Sequence, residues 1–259
     1  MNIQFIIRFM LIVFCLSMMI ASAKAGINEG IEFYQKRQEG SKGTIASIEN
    51  INKAIDQFSS ALLVPESEKN AALYLLKSYY YKAEFAIQNK EDKKSIFNEG
   101  KTLAEKYIEK YPNSVEFRYW YLVNLGSWAQ VYGILRAARE GVSDLMKIHS
   151  EKIIELDPAY RNGGGYFMLG AVHYKSPYIP FLLSWPDNDE AIKYLQLAVK
   201  TGKAEMNQKN YLAQAVNKDG QHKKARKLLT EVINTEPDSA NLVEELDDIK
   251  EARQLLENI

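Results

Sequence analysis

The sequence predicts an all-α protein: a solenoid of about four helix hairpins with a C-terminal capping helix, preceded by a signal peptide. Three observations predict it. Apolar residues recur at steps of three and four from about Thr44 to the C-terminus, with no strand-like alternation. Three helices end alike, in "IEKYPNS", "IIELDPAY" and "INTEPDS", each with a proline just past an apolar and charged run, where it cannot continue the helical hydrogen bonding. Small residues fall where two antiparallel helices would have to cross closely, with larger ones beside them.

The first 25 residues form a separate object. One early cation, Arg8, precedes an apolar run from Phe9 to Ile20, and Ala23-Lys24-Ala25 stands before Gly26. That is the layout of a cleaved secretory signal; the run is short for a spanning helix. It predicts a periplasmic or otherwise exported protein, with an uncleaved N-terminal anchor as the alternative. Lipidation would need Cys15, which follows the bulky Phe14. Cys15 is the only cysteine of the 259 residues, so cleavage leaves no disulfide and no thiolate ligand or nucleophile.

From there the chain reads as one helical domain, 43–259. Ile45, Ile48, Ile51, Ile55 and Phe58 make one apolar helical face; Leu73, Leu76, Tyr80 and Ala83 make the next. Breaks fall at Pro65, 89–94, 111–114, 156–164 and 235–239, all turn chemistry. The repeat is clearest near the C-terminus. With Pro237 closing a unit of about 34 residues, Leu212 and Ala213 take the central Leu-Gly positions and Val216 the next buried one. Ala225, Leu229 and Val232 match Ala-x3-Phe-x2-Ala on the second helix. This spacing is that of a tetratricopeptide repeat.

A second unit brackets the oddest stretch, "RNGGGYFMLGAVHYKSPYIPFLLSWPD". Tyr166, Leu169, Gly170 and His173 fit the first helix of a repeat, and Ala191, Leu195 and Ala198 fit the second. The halves lie about nine residues too far apart, so 174–187 is an insertion at the turn, with Asp187 or Asn188 capping the second helix. Gly163 to Gly165 lack the strand, the lysine and the hydroxyl of a phosphate loop; close helix approach and left-handed turn geometry account for them. Upstream, "IFNEGKTLAEKYIEKYP", "RYWYLVNLGSWAQVYG" and "HSEKIIELDP" supply three more repeat helices. The final segment carries Leu242, Leu246, Ile249, Leu255 and Leu256 on one face and reads as the cap.

Basic and acidic residues number 33 each, so no global field favours nucleic acid. His149, His173 and His222 lie far apart without ligand spacing, "EELDD" reads as a wetted face, and no serine has a nameable base. The sequence therefore predicts no enzyme, no cofactor and no metal site. It offers aromatic binding residues instead: Trp120, Trp128 and Tyr132 on one long helix, Tyr166 and Tyr174 on another, and Tyr178, Phe181 and Trp185 in the insertion. The insertion must bury its apolar groups on its own protein, on a ligand or on a partner.

A signal sequence followed by "YWYLVNLGSWAQVYG", "LDPAYRNGGGYFMLGAVHYKSP" and "DEAIKYLQLAVK" resembles the T component of tripartite ATP-independent periplasmic (TRAP) transporters, the TatT-like proteins. The likeness spans roughly 43–259 and is best over 118–232. It implies an accessory protein that associates with the transporter's solute-binding subunit, and a ring-like homo-oligomer whose pore passes small hydrophobic ligands. Two features differ from the family pattern. The chain lacks a lipoprotein signal, and Ser184-Trp185-Pro186-Asp187 stands where the family carries Gly-Gly. The partners expected are thus a protein or a small hydrophobic ligand, with membrane contact only through an uncleaved signal.

Overall fold

The computed structural model describes residues 26–181 and 183–259, the side chain of Ile134 excepted. The expected signal peptide, 1–25, lies outside them. The elements are α1 (26–35), α2 (Ile48–Ala61), α3 (Pro65–Tyr81), a π-helical turn (Lys82–Ala86), α4 (Lys90–Lys110), α5 (Val115–Tyr132), α6 (Ile134–Arg139), α7 (Val142–Leu156), α8 (Tyr160–Lys175), α9 (Asn188–Thr201), α10 (Met206–Lys218), α11 (His222–Ile233) and α12 (Leu242–Glu257). Among the described residues, extended pairing is confined to two isolated bridges, Lys42 with Ile45 and Ile179 with Leu183.

Short polar residues start the helices where the sequence places its breaks. Ser47 accepts from Glu49 N, Asn89 from Glu91 N and Asp92 N, Ser114 from Phe117 N, and Asp187 from Asp189 N and Glu190 N. Because Ser47 caps α2, the apolar face expected from Ile45 onward begins later. Ile45 precedes the helix and Ile48 opens it, both exposed, while Ile51, Ala54 and Phe58 are buried.

Helices α3/α4, α5/α7, α8/α9 and α10/α11 form four antiparallel hairpins, and α12 packs on α11 and α10 as the cap. The inner helices α3, α5, α8, α10 and α12 each touch the next; α4, α7, α9 and α11 form the outer layer. This is the predicted all-α tetratricopeptide-like solenoid. Its crossings use the small residues named above. A Cβ on Gly170 would lie 2.6 Å from Leu195 Cγ and 2.9 Å from Leu195 N, so α8 and α9 approach closely only with glycine there. Ala213 and Ala225 are fully buried in one continuous core that runs from Ala72 to Ala252.

The packed chain extends N-terminally of residue 43. Ile27 on α1 joins Ala54, Phe58 and Leu75 in a second cluster. A third cluster brings Ala46, Ile51, Tyr81 and Phe85 onto Val243, the second residue of α12. Gln38 reinforces the join, accepting from Val243 N and donating to Ser239 O. The superhelix therefore turns far enough for its first and last elements to meet.

The triple-glycine stretch is helical packing. Arg161, Asn162 and Gly163 all take left-handed backbone, with φ of 45°, 54° and 82°. This kink turns the chain from Tyr160 into the regular part of α8. Added Cβ atoms at Gly164 and Gly165 would meet Tyr119 of α5 and Ile153 of α7 at 2.6 and 2.8 Å.

Candidate binding groove

Closure of the superhelix turns the inner helices toward one another, and the residues they bring together form a candidate groove. Tyr34 and Arg37 border it at the end of α1, Lys77 and Tyr80 on α3, and Glu84 on the π-helical turn. Trp120 on α5, Arg161 at the start of α8, Tyr211 on α10, and Asp248 and Glu251 on α12 complete the lining. Arg37 and Trp120 are buried, Arg161 is exposed and the others are half-buried; Tyr34, Tyr80 and Tyr211 each feel charges carried by other elements. Burial pushes the Tyr34 hydroxyl up to about 12, against the pull of Arg37 and Arg161. Burial raises Tyr80 and Tyr211 also, with Asp248 and Glu84 adding to both.

The two walls differ in charge. On the α3 side, burial and then Arg161 and Arg37 bring the Lys77 ammonium down to about 8. Lys77 Nζ lies 4.6 Å from the Tyr74 ring centroid and 5.8 Å from that of Trp120; Arg161 Cζ lies 5.4 Å from Tyr119 and 5.6 Å from Trp120. On the α12 side, burial and then Glu251, Asp247, Glu205 and Glu245 push Asp248 up to about 8. Buried Asn210 on α10 ties this wall down, donating to Asp248 O at 2.8 Å and to Glu251 Oε2 at 3.3 Å.

The eight aromatic residues singled out from sequence do not converge on one pocket. Trp120 is 7 % exposed and sits in the groove lining, edge-on to Tyr119 and 6.1 Å from Tyr80. Tyr174 approaches the same groove, near Tyr211 and under the charge of Glu251. Trp128 and Tyr132 stack on each other at 4.3 Å, share Asn98 as hydrogen-bond partner and are covered by Arg136. Tyr166 is half-buried against the main core.

The insertion divides. Leu183 is buried, and Trp185 donates to Asp144 Oδ1 at 2.7 Å with its ring 4.8 Å from His173. Tyr178 and Phe181 stay out, at 64 % and 106 % exposure.

The histidines are packed or solvated. His173 is buried, accepting from Asp187 N at 3.3 Å between Trp185 and Tyr194. His222 is exposed beside Asn217. His149 is half-buried with Nδ1 3.0 Å from Arg118 Nη1, and burial followed by that guanidinium takes it down to about 4. Among the described residues no group of three or more His, Cys, Asp or Glu is placed to hold a metal ion, and no helix is long and apolar enough to cross a membrane.

Sequence reasoning missed Tyr34, Arg37, Lys77, Tyr80, Arg161, Tyr211 and Asp248 as neighbours. A partial signal existed: Ile27, Ile31 and Tyr34 keep helical spacing ahead of residue 43, and Arg161 opens the glycine stretch.

Fold and groove together define a tetratricopeptide-like helical solenoid. A solved structure described as TTC0263, a thermophilic TPR protein in Thermus thermophilus, aligns with a TM-score of 0.58 over 88% of this chain and 99% of that one. The two are 13% identical, so the likeness is one of fold. A family model described as regulator of microtubule dynamics protein 1-3 matches residues 41–181, more than half of the chain. The chain belongs to that family. No curated protein matches it.

Proposed function

We propose that the protein is a non-enzymatic scaffold, exported by segment 1–25, that holds a partner protein through its concave face and the tip of its insertion. The observation that carries this reading is the tip. Ile179 and Leu183 exchange two backbone hydrogen bonds of 2.8 Å, and the turn between them presents Phe181 to water at a left-handed φ of 66°. A bulky residue in that conformation costs about 1 kcal/mol or more, and its exposed ring gains nothing from the fold itself. A protein partner that covers Phe181 and Tyr178 offsets both costs.

The first partner to test is the one the sequence resemblance implies, a solute-binding subunit of a TRAP-type transporter. The family description, regulator of microtubule dynamics, supplies the second. A microtubule-associated partner and an exported chain belong to different compartments, so locating the chain decides between them. The alternative, carriage of small hydrophobic ligands, draws on Tyr80, Trp120 and Tyr211 in the groove. Against it stand the carboxyl groups of Asp248 and Glu251.

The test is photo-crosslinking in the producing cell with Phe181→p-benzoylphenylalanine. A discrete protein adduct, identified by mass spectrometry and lost with Tyr178→Ser, supports the reading. A folded chain that gives no protein adduct overturns it.

A further inference from the structure

Lys77 and Arg161 come from helices far apart in sequence and meet at one aromatic ring, with centroid distances of 5.8 and 5.6 Å. Lys77 is half-buried and Arg161 exposed, and the two cations repel each other, so their counter-charges need to be found. Arg37, the third cation within reach, has its own carboxylate, Glu244 Oε1 at 2.7 Å. Among the described residues Arg161 has only a loose one, Glu205 Oε1 at 3.6 Å. Among the described residues no carboxylate comes within ion-pair distance of Lys77 Nζ.

Two further costs converge on the same spot. Arg161 holds a left-handed backbone without being glycine. The indole N–H of Trp120 is buried with no acceptor. Repulsion, backbone strain and an unsatisfied donor each destabilise the free protein, and one bound oxyanion relieves the repulsion.

We propose that Lys77 and Arg161 form an anion station beside Trp120, which receives a carboxylate of an acidic segment of the partner protein. This rests on the scaffold reading and names the chemistry of the segment the groove holds. The opposite wall selects a peptide over an acyl chain. Asp248, Glu251 and the hydroxyls of Tyr80 and Tyr211, all half-buried, offer hydrogen-bonding groups to a polypeptide backbone that a hydrocarbon could not engage.

The test measures fluorescence anisotropy of a labelled oligo-glutamate peptide, with an oligo-glutamine peptide of equal length as control, on the full chain. The glutamate peptide binds more tightly, its affinity falls as sodium chloride rises, and Lys77→Met or Arg161→Gly weakens it about tenfold or more. Arg161→Gly separates site from fold: glycine relieves the left-handed strain, so the variant melts no lower than the parent while its binding is lost. Equal binding of the two peptides, or unchanged binding in both variants, overturns the proposal. So does Lys77-dependent binding seen only with phosphatidylserine-containing vesicles, which would assign the station to a lipid headgroup. If the crosslink from position 181 persists in Lys77→Met, the scaffold reading survives the loss of the station.

Discussion

Arg37 and Glu244 stand 207 residues apart and meet at 2.7 Å, joining the end of α1 to the first turn of α12. Arg37 is 6 % exposed, its guanidinium lies 4.7 and 5.1 Å from the Tyr34 and Tyr81 ring centroids, and it also donates to Ala240 O and Asn241 Oδ1. Glu244→Ala leaves that charge buried without its carboxylate and should destabilise the protein by about 3 kcal/mol. Arg37→Met should cost less, because Glu244 is partly exposed and can hydrate once freed. Urea unfolding of the two variants checks the order; an Arg37→Met loss greater than that of Glu244→Ala would contradict it.

Gly170 and Gly220 separate two reasons for glycine. Gly170→Ala drives a methyl into Leu195 at the closest point of α8 on α9, so α9 must move; the expected loss is about 2 kcal/mol or more. Gly220 has a φ of 79° but open space around it, so Gly220→Ala should cost about 1 kcal/mol from backbone strain alone. Equal losses in denaturant titrations would mean that the α8–α9 crossing is looser than described.

How much of this was legible in the sequence depends on the information that residue spacing can encode. Three- and four-residue steps identify the buried face of one helix and the small residue at its crossing. That is why Gly170 with Leu195, Ala213 with Ala225, the Asp187 cap and the core position of His173 were all readable. Spacing carries no record of how hairpins rotate as they stack. Closure of α1 on α12, and the placing of Lys77 and Arg161 at one Trp120 ring, both arise from that accumulated rotation. The aromatic residues were conspicuous for their size, but size does not say which wall a side chain faces. Trp120 and Tyr174 reached the groove; Trp128 and Tyr132 stacked on each other, and Trp185 closed over His173.

His149 should make the fold acid-sensitive. Its folded value near 4 lies below the unfolded value of 6.5, because burial and Arg118 disfavour the cation. The unfolded chain therefore binds the proton first as pH falls. The contribution is complete above the unfolded value and is lost between there and the folded one. The loss is about 2 kcal/mol once partial exposure is discounted. His149→Gln should lose less stability than the parent between about pH 7 and pH 5. A parallel loss in both proteins would show that Arg118 does not govern this ring.

Asp248 works in the opposite sense. Its folded value near 8 lies above the reference of 3.8, since burial and the carboxylates of Glu251, Asp247, Glu205 and Glu245 all oppose ionisation. The native state holds this proton after the unfolded chain has released it. The contribution is thus present at acid pH and is lost as pH rises toward 8. Asn is nearly isosteric, cannot ionise and keeps the side chain's polarity. Asp248→Asn should match the parent near pH 4 and exceed it by about 2 kcal/mol near pH 8. The Asn210 hydrogen bond to Asp248 survives the change because it uses the backbone carbonyl, so the gap isolates the carboxyl's charge. Unfolding free energies measured across that range decide the matter: the gap must widen steadily with pH, and a constant offset would mean that the α12 carboxyl is solvated and that the acidic wall does not close over the groove.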